Sequence, residues 1–211
     1  MIKFECTEVM GMEAALRGMR NPLNSWHRAD SEHHRYCGNG DCGNFVIGLN
    51  DMDLAKRLIS AGPDDRKFLR QIFVSVDITA PLYWWKEFDK YQIGVTTNSC
   101  STMHKIHAKE FTRDDFSHEH LDSQSLEVLD IVIKALNLNR DFFNRNKNKD
   151  DWWQMIQLLP TSYNQKRTVT LNYEVLRNIA RARKAHKLDE WRVGVMEWIK
   201  SLPYAEDLII N

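Results

Sequence analysis

Residues 159–191 read LPTSYNQKRTVTLNYEVLRNIARARKAHKLDEW, and this stretch is the most informative part of the chain for its fold. A Leu-Pro pair and a polar loop lead into a β-favouring run at 167–171, and Asn172 follows this run. Asparagine is a preferred helix N-cap, because its side-chain oxygen accepts a hydrogen bond from a backbone N–H that the first turn leaves unpaired. The stretch therefore predicts a strand that passes directly into a helix.

The predicted helix has Leu176 and Ile179 on one side and is densely basic elsewhere. Its basic residues are Arg177, Arg181, Arg183, Lys184 and Lys187. A basic helix behind a capped N-terminus is suited to phosphates and electron-rich rings. A solvated amphipathic helix accounts for the same pattern, so the residues alone leave both interpretations open.

Upstream of this stretch, alternating apolar residues predict a half-buried strand at 71–79. Further strands are predicted at 2–9 and 45–49. Six helices are predicted outside the opening stretch: 13–19, 51–61, 81–88, Ser123 or Ser125 to about Phe143, 152–158 and 191–202. Asp51 and Pro81 are expected to lie at the starts of the second and third of these helices. Residues 24–44 are expected to form a long loop, and the polar run after Tyr91 to be weakly structured. Strand–helix–strand units followed by a helix-rich half predict an α+β fold, and we expect residues 1–211 to form a single domain.

The composition excludes some classes of function. The 211 residues include 29 Lys and Arg and 29 Asp and Glu, so the chain has no net field that would attract a nucleic acid polymer or an anionic membrane. An anionic partner must instead meet a local basic cluster, and a nucleotide has the right size for one. No apolar run is long enough to span a bilayer, and the N-terminal residues lack a signal-peptide core, so we expect a cytoplasmic protein.

Cysteine residues raise two questions of chemistry. Cys37 and Cys42 follow the histidine pair at 33–34, and this set offers ligands that zinc accepts, although the spacing is looser than in the usual zinc sites. We expect a glycine-rich loop with incidental thiols there, and no metal. Cys100 lies four residues before His104 and is expected to be a buried, inert cysteine rather than a nucleophile.

The opening stretch resembles the C-terminal half of the flavin-dependent thymidylate synthases. In that family a Leu-Pro pair is followed by an Asn, by a Leu four residues beyond the Asn, and by an Arg eleven residues beyond it on a helix. The corresponding residues here are Leu159-Pro160, Asn172, Leu176 and Arg183. The order of the other elements also agrees, so the resemblance covers roughly 62–202 at low identity.

The resemblance implies a central, mostly antiparallel sheet flanked by long helices. It also implies an enzyme that transfers a methylene group from methylenetetrahydrofolate to the uracil of dUMP, with FAD carrying hydride from NADPH. No protein nucleophile attacks the base in this family, which agrees with the lack of a recognisable nucleophile motif here. The family works as a homotetramer with shared active sites, and we expect a symmetric interface to bury some of the aromatic surface of Trp84, Trp85, Trp152 and Trp153. The aromatic residues of the helix after Pro81, Trp84 and Trp85 among them, are expected either in the core or at such an interface, and not as a platform for stacking bases.

The resemblance also assigns roles to individual residues. Arg183 is implied to contact the uracil and draw electron density from the ring, which makes it the expected catalytic residue. The expected substrate-binding residues are Ser99, Lys166, Arg167, Asn172 and Arg183. The expected FAD-binding residues are Lys86, Lys90, Asn178 and His186, of which the two lysines stand in for arginines that this chain lacks.

The chain departs from the family at its signature motif. The signature reads Arg-His-Arg, two residues, then Ser; the aligned residues here are Asp89-Lys90-Tyr91-Gln92-Ile93-Gly94, and a later signature Arg aligns with Ser101. Each lost charge-assisted contact contributes about 1.5–3 kcal/mol, so nucleotide affinity falls unless other cations such as Lys86, Lys90, His104 and Lys105 compensate. A second hypothesis therefore stands beside the enzyme: a non-catalytic or repurposed homologue that binds a nucleotide or a protein partner on the same fold.

Overall fold

The computed structural model describes residues 2–34 and 44–211 of the chain. The strands are β1 (Lys3–Met10), β2 (Glu32–His34), β3 (Asn44–Val46), β4 (Phe73–Pro81), β5 (Thr96–Ser99) and β6 (Asn164–Asn172). The α-helices are α1 (Met12–Met19), α2 (Leu49–Ala61), α3 (Leu82–Phe88), α4 (Ser123–Asn146), α5 (Lys149–Leu158), α6 (Tyr173–Arg183) and α7 (Met196–Lys200). The predicted α+β class is confirmed, including the strand that passes directly into the basic helix.

Four strands form one antiparallel sheet in the order β1-β4-β6-β5, and β2 and β3 form an antiparallel pair of their own. Side-chain hydrogen bonds fix the register of the two central strands. Ser75 lies 2.8 Å from Thr170, and Thr168 donates to Asp77 at 2.7 Å, so the numbers rise along β4 as they fall along β6. Such cross-strand pairs are the units that stabilise a sheet.

Strand β4 confirms the alternation that predicts it. Val74, Val76 and Ile78 are buried on one face, because residues two apart on a strand point the same way. Helix α3 follows directly and buries Trp84 and Trp85, each about 1% exposed. Of the two places expected for these rings, the core or a subunit interface, the structure therefore shows the core, since the chain buries them itself.

The chain divides into two compact units. Unit 1 contains residues 2–5, 77–92 and 97–169, and unit 2 contains residues 6–34, 44–76, 93–96 and 170–211. In unit 1, α4 and α5 pack on each other around Phe111, Phe116, Leu136 and Met155. In unit 2, α6 packs against a 3-10 helix, Arg66–Gln71, and a π-helix, Glu206–Ile210.

Several predicted boundaries are wrong for physical reasons. Asp51 does not begin α2; it lies inside the helix, where its buried carboxylate binds Arg20 and accepts hydrogen bonds from the Ser31 hydroxyl and backbone. Burial alone would raise the pKa of Asp51, but the bonds from Ser31, Arg20 and Asp30 outweigh it and hold the pKa below its ordinary value. A local cap signal cannot reveal such distant partners.

The remaining differences concern short elements. The predicted strand at 45–49 is only β3, and the polar run after Tyr91 contains β5. The predicted loop at 24–44 includes a short 3-10 helix, Trp26–Arg28, and β2, while residues 35–43 lie outside the described part. The predicted helix at 191–202 is a π-helix, Glu190–Val195, followed by α7, and the π-helix after Pro203 is not predicted at all. None of the described helices is both long enough and apolar enough to cross a membrane.

Candidate functional site

The predicted site residues fall into two groups that belong to different units. Lys86, Lys90, Ser99, Lys166 and Arg167 lie in unit 1, on α3, at the C-terminal end of β5 and on β6, or next to these elements. Asn172, Asn178, Arg183 and His186 lie in unit 2, and all four are on α6 or within three residues of it.

The guanidinium of Arg167 is fixed on three sides. Its Cζ lies 4.1 Å from the centroid of the buried Trp85 ring, and its Nε donates to Gln165 Oε1 at 2.9 Å. Its Nη1 donates to Asp89 Oδ1 at 2.6 Å. The Arg167 side chain is 13% exposed and that of Asp89 52% exposed. A stacked, preoriented guanidinium is well suited to bind an oxyanion, and here it binds a carboxylate of its own chain.

Lys166 also binds carboxylates of its own chain. It lies on the other face of β6 from Arg167, because adjacent residues of a strand point to opposite faces. Its Nζ lies 3.1 Å from Asp77 Oδ2 and 3.3 Å from Glu5 Oε2. Hydrogen bonds from Thr168 and then Lys166 lower the pKa of Asp77, while Asp77 and then Glu5 raise the pKa of Lys166. Both partners therefore stay charged at neutral pH, and Lys166 is already matched by two carboxylates.

A cavity of about 600 Å³ in unit 1 has Lys166 in its wall. The wall also includes Cys100, Ser101, Lys105, Lys109, Asp115 and Tyr163. Burial raises the pKa of the Tyr163 hydroxyl, and negative charge at Asp115 raises it further, so the phenol keeps its proton as a donor. Ammonium groups and hydroxyl donors around one cavity have the chemistry that binds a phosphate.

Sequence reasoning reached only part of this cavity. It named Lys105 and Lys166 but missed Tyr163, because the predicted strand begins only at Arg167, whereas β6 begins at Asn164, directly after Tyr163. It also expected Cys100 to be buried, and this is wrong: Cys100 is exposed. Its backbone N–H donates to Lys166 O at 2.9 Å, which holds the residues after β5 beside β6.

The other predicted residues of unit 1 are solvent-accessible. Ser99 is the exposed last residue of β5 and directly precedes Cys100. Lys86 is exposed on α3, and Lys90 lies just after that helix. Lys90 Nζ donates to Glu87 Oε1 at 2.8 Å with its side chain 66% exposed, and an exposed pair of this kind is weak enough to exchange for another anion.

The start of α6 is built from buried polar groups. Asn172 Oδ1 accepts a hydrogen bond from Val175 N at 3.0 Å, which confirms Asn172 as the N-cap. In the first turn of the helix, Glu174 accepts hydrogen bonds from two nitrogens of Arg66, with Nε–Oε2 at 2.9 Å and Nη2–Oε1 at 3.0 Å. Both side chains are about a tenth exposed, so this pair anchors α6 inside unit 2.

The other end of α6 carries the residue expected to be catalytic. Arg183 is the last residue of the helix, and its Cζ lies 5.1 Å from the centroid of the Trp191 ring, which is fully buried. His186 is half-buried, and its Nδ1 accepts from Leu188 N at 3.1 Å, so the neutral ring carries its proton on Nε2. Asn178 is exposed on the same helix. A planar guanidinium held against a rigid indole keeps its orientation.

Within 2–34 and 44–211, no three His, Cys, Asp or Glu side chains come together in a group that would hold a metal ion. The candidate zinc ligands Cys37 and Cys42 lie outside those ranges. The ring of His33 is described, and it lies 3.1 Å from a carboxylate oxygen of Glu13.

Comparisons by sequence find no relative, since no family model and no curated protein matches this chain. Comparison with solved structures finds chains of similar fold. Thymidylate Synthase X (ThyX) from Helicobacter pylori, solved with FAD and dUMP, matches with a TM-score of 0.70 and 17% identity over 99% of this chain and 97% of its own. A second structure of flavin dependent thymidylate synthase from that organism, complexed with FAD and dUMP, matches with a TM-score of 0.67 and 16% identity over 98% and 97%. This chain has the fold of the flavin-dependent thymidylate synthases.

Two positions at which the chain departs from the signature of the flavin-dependent thymidylate synthases have structural uses here. Asp89, aligned with an arginine, binds Arg167. Gly94, aligned with the serine, has a φ of +73°, and a Cβ there would lie only 3.0 Å from Nδ2 of Asn172. A side chain at position 94 would strain the backbone and press on the cap of α6. Both departures therefore hold elements of this chain in place.

Proposed function

We propose that the protein is a divergent flavin-dependent thymidylate synthase-like enzyme, which methylates dUMP with methylenetetrahydrofolate and reduced FAD. The observation that supports this best is the likeness of fold, which extends over nearly the whole of both chains. The oriented guanidinium at the end of α6 agrees with it, because the chemistry needs a fixed cation beside the uracil ring. In the same proposal the protein is cytoplasmic and works as a homotetramer.

The residues proposed to hold FAD suit its chemistry. Lys86 and Lys90 present ammonium groups to solvent, as a pyrophosphate requires. Asn178 presents an exposed amide, and His186 keeps its Nε2–H for donation, and both groups suit the polar edge of a flavin ring. When bound, FAD would supply the hydride that it takes from NADPH, and these residues would orient it.

The substrate-binding residues are proposed to divide the work between the two ends of dUMP. Ser99, Lys166 and the hydroxyl and ammonium groups around the 600 Å³ cavity would meet the phosphate. Asn172 holds the start of α6, and Arg183 at its end would meet the uracil and stabilise negative charge on the ring. In a tetramer with shared active sites, these two sets of residues need not come from the same subunit.

The direct test is dUMP-dependent oxidation of reduced flavin by the purified protein. We expect turnover in the presence of methylenetetrahydrofolate, and a loss of roughly a hundredfold or more in kcat for Arg183→Met, because the lost cation acts on the ring during reaction. Arg181→Met is the matched control, since Arg181 is exposed two residues away on the same helix. Equal rates for the two variants would remove Arg183 from the mechanism.

A second candidate function is a non-catalytic or repurposed homologue that binds a nucleotide or a protein partner. The pairing of Arg167 with Asp89, and of Lys166 with Asp77 and Glu5, supports it, because these cations are matched by carboxylates of the chain itself. Calorimetry with dUMP separates the two candidates. Binding without flavin oxidation supports the repurposed homologue, whereas turnover that rescues a thymidine-requiring strain supports the enzyme.

A further inference from the structure

Helix α4 in unit 1 has two apolar faces. One face packs into the core of unit 1 through the buried Leu129, Ile133 and Leu136. The opposite face carries exposed apolar side chains with the half-buried Ala135 between them. These are Val128, Ile131, Leu138 and Phe142, which are 56%, 64%, 55% and 39% exposed. We call Val128, Ile131, Ala135, Leu138 and Phe142 the outer stripe.

The spacing of the outer stripe is that of a helix-pairing seam. Its members follow one another at intervals of three, four, three and four residues, which is the a/d pattern of a heptad. They extend for about 21 Å along the helix. A surface helix that only shields its own core needs one apolar stripe, so a second stripe with this period indicates a second helix as its partner.

We propose that the outer stripe packs antiparallel against the same stripe of a second copy of this chain. A twofold axis near residues 136–137 would set Ala135 against Leu138 of the other copy, and Ile131 against its Phe142. Four of the five members of the stripe, all but Val128, are then paired with one another, because a twofold interface buries the same patch on both copies. The surface of α4 carries this inference, which does not depend on the proposed enzymatic function.

The charges beside the stripe favour the antiparallel direction. Lys134 and Asp141 lie on the same flank, seven residues apart, at the positions that face each other across an antiparallel pair. The twofold axis brings each Lys134 to the Asp141 of the other copy, which gives two opposite-charge contacts. A parallel pairing would set Lys134 against the uncharged Asn139. Within its own chain, the Asp141 carboxylate binds Nη1 of the adjacent Arg140 at 2.7 Å, and the Asp141 side chain is 57% exposed, so this carboxylate is accessible to a second cation.

A groove at the N-terminal end of the stripe supports the same arrangement. It has a volume of about 470 Å³ and a mostly apolar wall, formed by Leu121, Val128, Leu129, Val132 and Pro160 together with Gln124 and Ser125. The antiparallel pairing brings Phe142 of the second copy to Ile131, which is one turn from Val128 and next to Val132. An apolar groove thus lies where the exposed aromatic ring of the partner arrives, and such ring-in-groove contacts are typical of strong interfaces.

The test is the mass of the purified full-length protein in solution, measured by sedimentation at several concentrations. We expect Ile131→Glu to halve the mass of the assembly, because it buries two carboxylates in the seam. Val193→Glu is the matched control, since Val193 is an apolar residue of unit 2 that is 42% exposed. The mass of this variant should equal that of the unaltered protein. Unfolding curves should be alike for both variants.

Exchanging the charges of Lys134 and Asp141 gives a second test of the interface, which does not use the apolar substitution. Lys134→Asp and Asp141→Lys should each weaken self-association at least about tenfold, because each sets like charges against each other twice. The double variant Lys134→Asp/Asp141→Lys restores both pairs and should return to within about threefold of the original affinity. A monomeric unaltered protein, an Ile131→Glu variant of unchanged mass, or a double variant weaker than both single variants would each overturn the proposal. Spectra and calorimetry measure flavin and nucleotide binding separately, so a failure of this interface is distinguishable from a failure of the proposed function.

Discussion

Helices α4 and α6 differ in how much of themselves the chain buries. Helix α4 has 24 residues, of which only Leu129, Ile133 and Leu136 are buried. Helix α6 has 11 residues and buries six of them, including the charged Glu174 and Arg177. The longer helix is therefore anchored along one narrow stripe, and the shorter helix is enclosed along most of its length.

The difference separates two kinds of functional surface. Because α6 is enclosed, its side chains are fixed, and the part of it proposed for chemistry is its C-terminal end at Arg183. Because α4 is not enclosed, it leaves an apolar stripe to a partner. Precise positioning requires the first arrangement, and association requires the second.

The largest expected effect comes from breaking the buried charge pair of α6. Glu174→Ala leaves Arg66 buried without its partner and should lower the free energy of unfolding by about 3–5 kcal/mol, measured by urea denaturation. Asp53→Ala is the control on α2, where the pair with Arg57 is largely exposed, and it should cost less than about 1 kcal/mol. Similar losses for the two variants would mean that α6 is not anchored through this pair.

Two leucines give the next test. Leu176→Ala in α6 removes a fully buried side chain and should cost about 2–5 kcal/mol of unfolding free energy. Leu138→Ala in α4 removes a side chain that is 55% exposed and should change unfolding of the monomer by less than about 0.5 kcal/mol. An equal loss of unfolding free energy for Leu138→Ala, measured at a concentration where the chain is monomeric, would mean that the chain itself buries the Leu138 side chain.

The sequence predicts local features of this molecule better than distant ones. The alternation at 71–79 and the N-cap Asn172 were predictable, because strand period and capping depend on residues close together in the chain. The partners of the predicted site residues were not. Arg167 meets Asp89 across 78 residues, and only the folded chain brings them together. The single-domain expectation and the roles of the site residues stay predictions.

The same limit applies to α4. Its start was predicted at Ser123 or Ser125, because a polar residue before an apolar run is a local signal, and α4 begins at Ser123. Its second apolar stripe was not recognised, because the periodicity of Leu129, Ile133 and Leu136 overlaps that of Val128, Ile131 and Leu138 in one stretch of sequence. Only the fold tells which stripe faces the core.

A smaller effect is expected at the N-cap of α6. Asn172→Ala leaves Val175 N–H without its acceptor and should cost about 1 kcal/mol of unfolding free energy. Asn172→Ser keeps an acceptor oxygen and should recover most of the loss, which separates capping from packing. If Ser and Ala destabilise equally in thermal unfolding, the hydrogen bond to Val175 is not what Asn172 contributes.

The smallest expected effect is a difference between the N-caps of α4 and α6 in how they respond to pH. The cap of α4 is Asp122, whose pKa is lowered by hydrogen bonds from the backbone and side chain of Ser125, whereas the cap of α6 is the uncharged Asn172. A lowered pKa means that the cap stabilises α4 above the ordinary carboxyl value of 3.8 and is lost as the pH falls through the folded value.

We therefore expect the NMR amide signal of Ser125 to shift below pH 4 and that of Val175 to stay constant, with the Ser125 shift absent in Asp122→Asn. Equal shifts at both amides would contradict the assignment of these caps.

The central claim, that this fold serves flavin-dependent chemistry, is tested most directly by the visible absorbance of the purified protein after incubation with FAD and removal of unbound ligand. The account predicts that the protein fraction retains the absorbance bands of flavin in proportion to its chains, and that added dUMP perturbs them. A colourless protein fraction, with all the FAD recovered in the low-mass fraction, would contradict it.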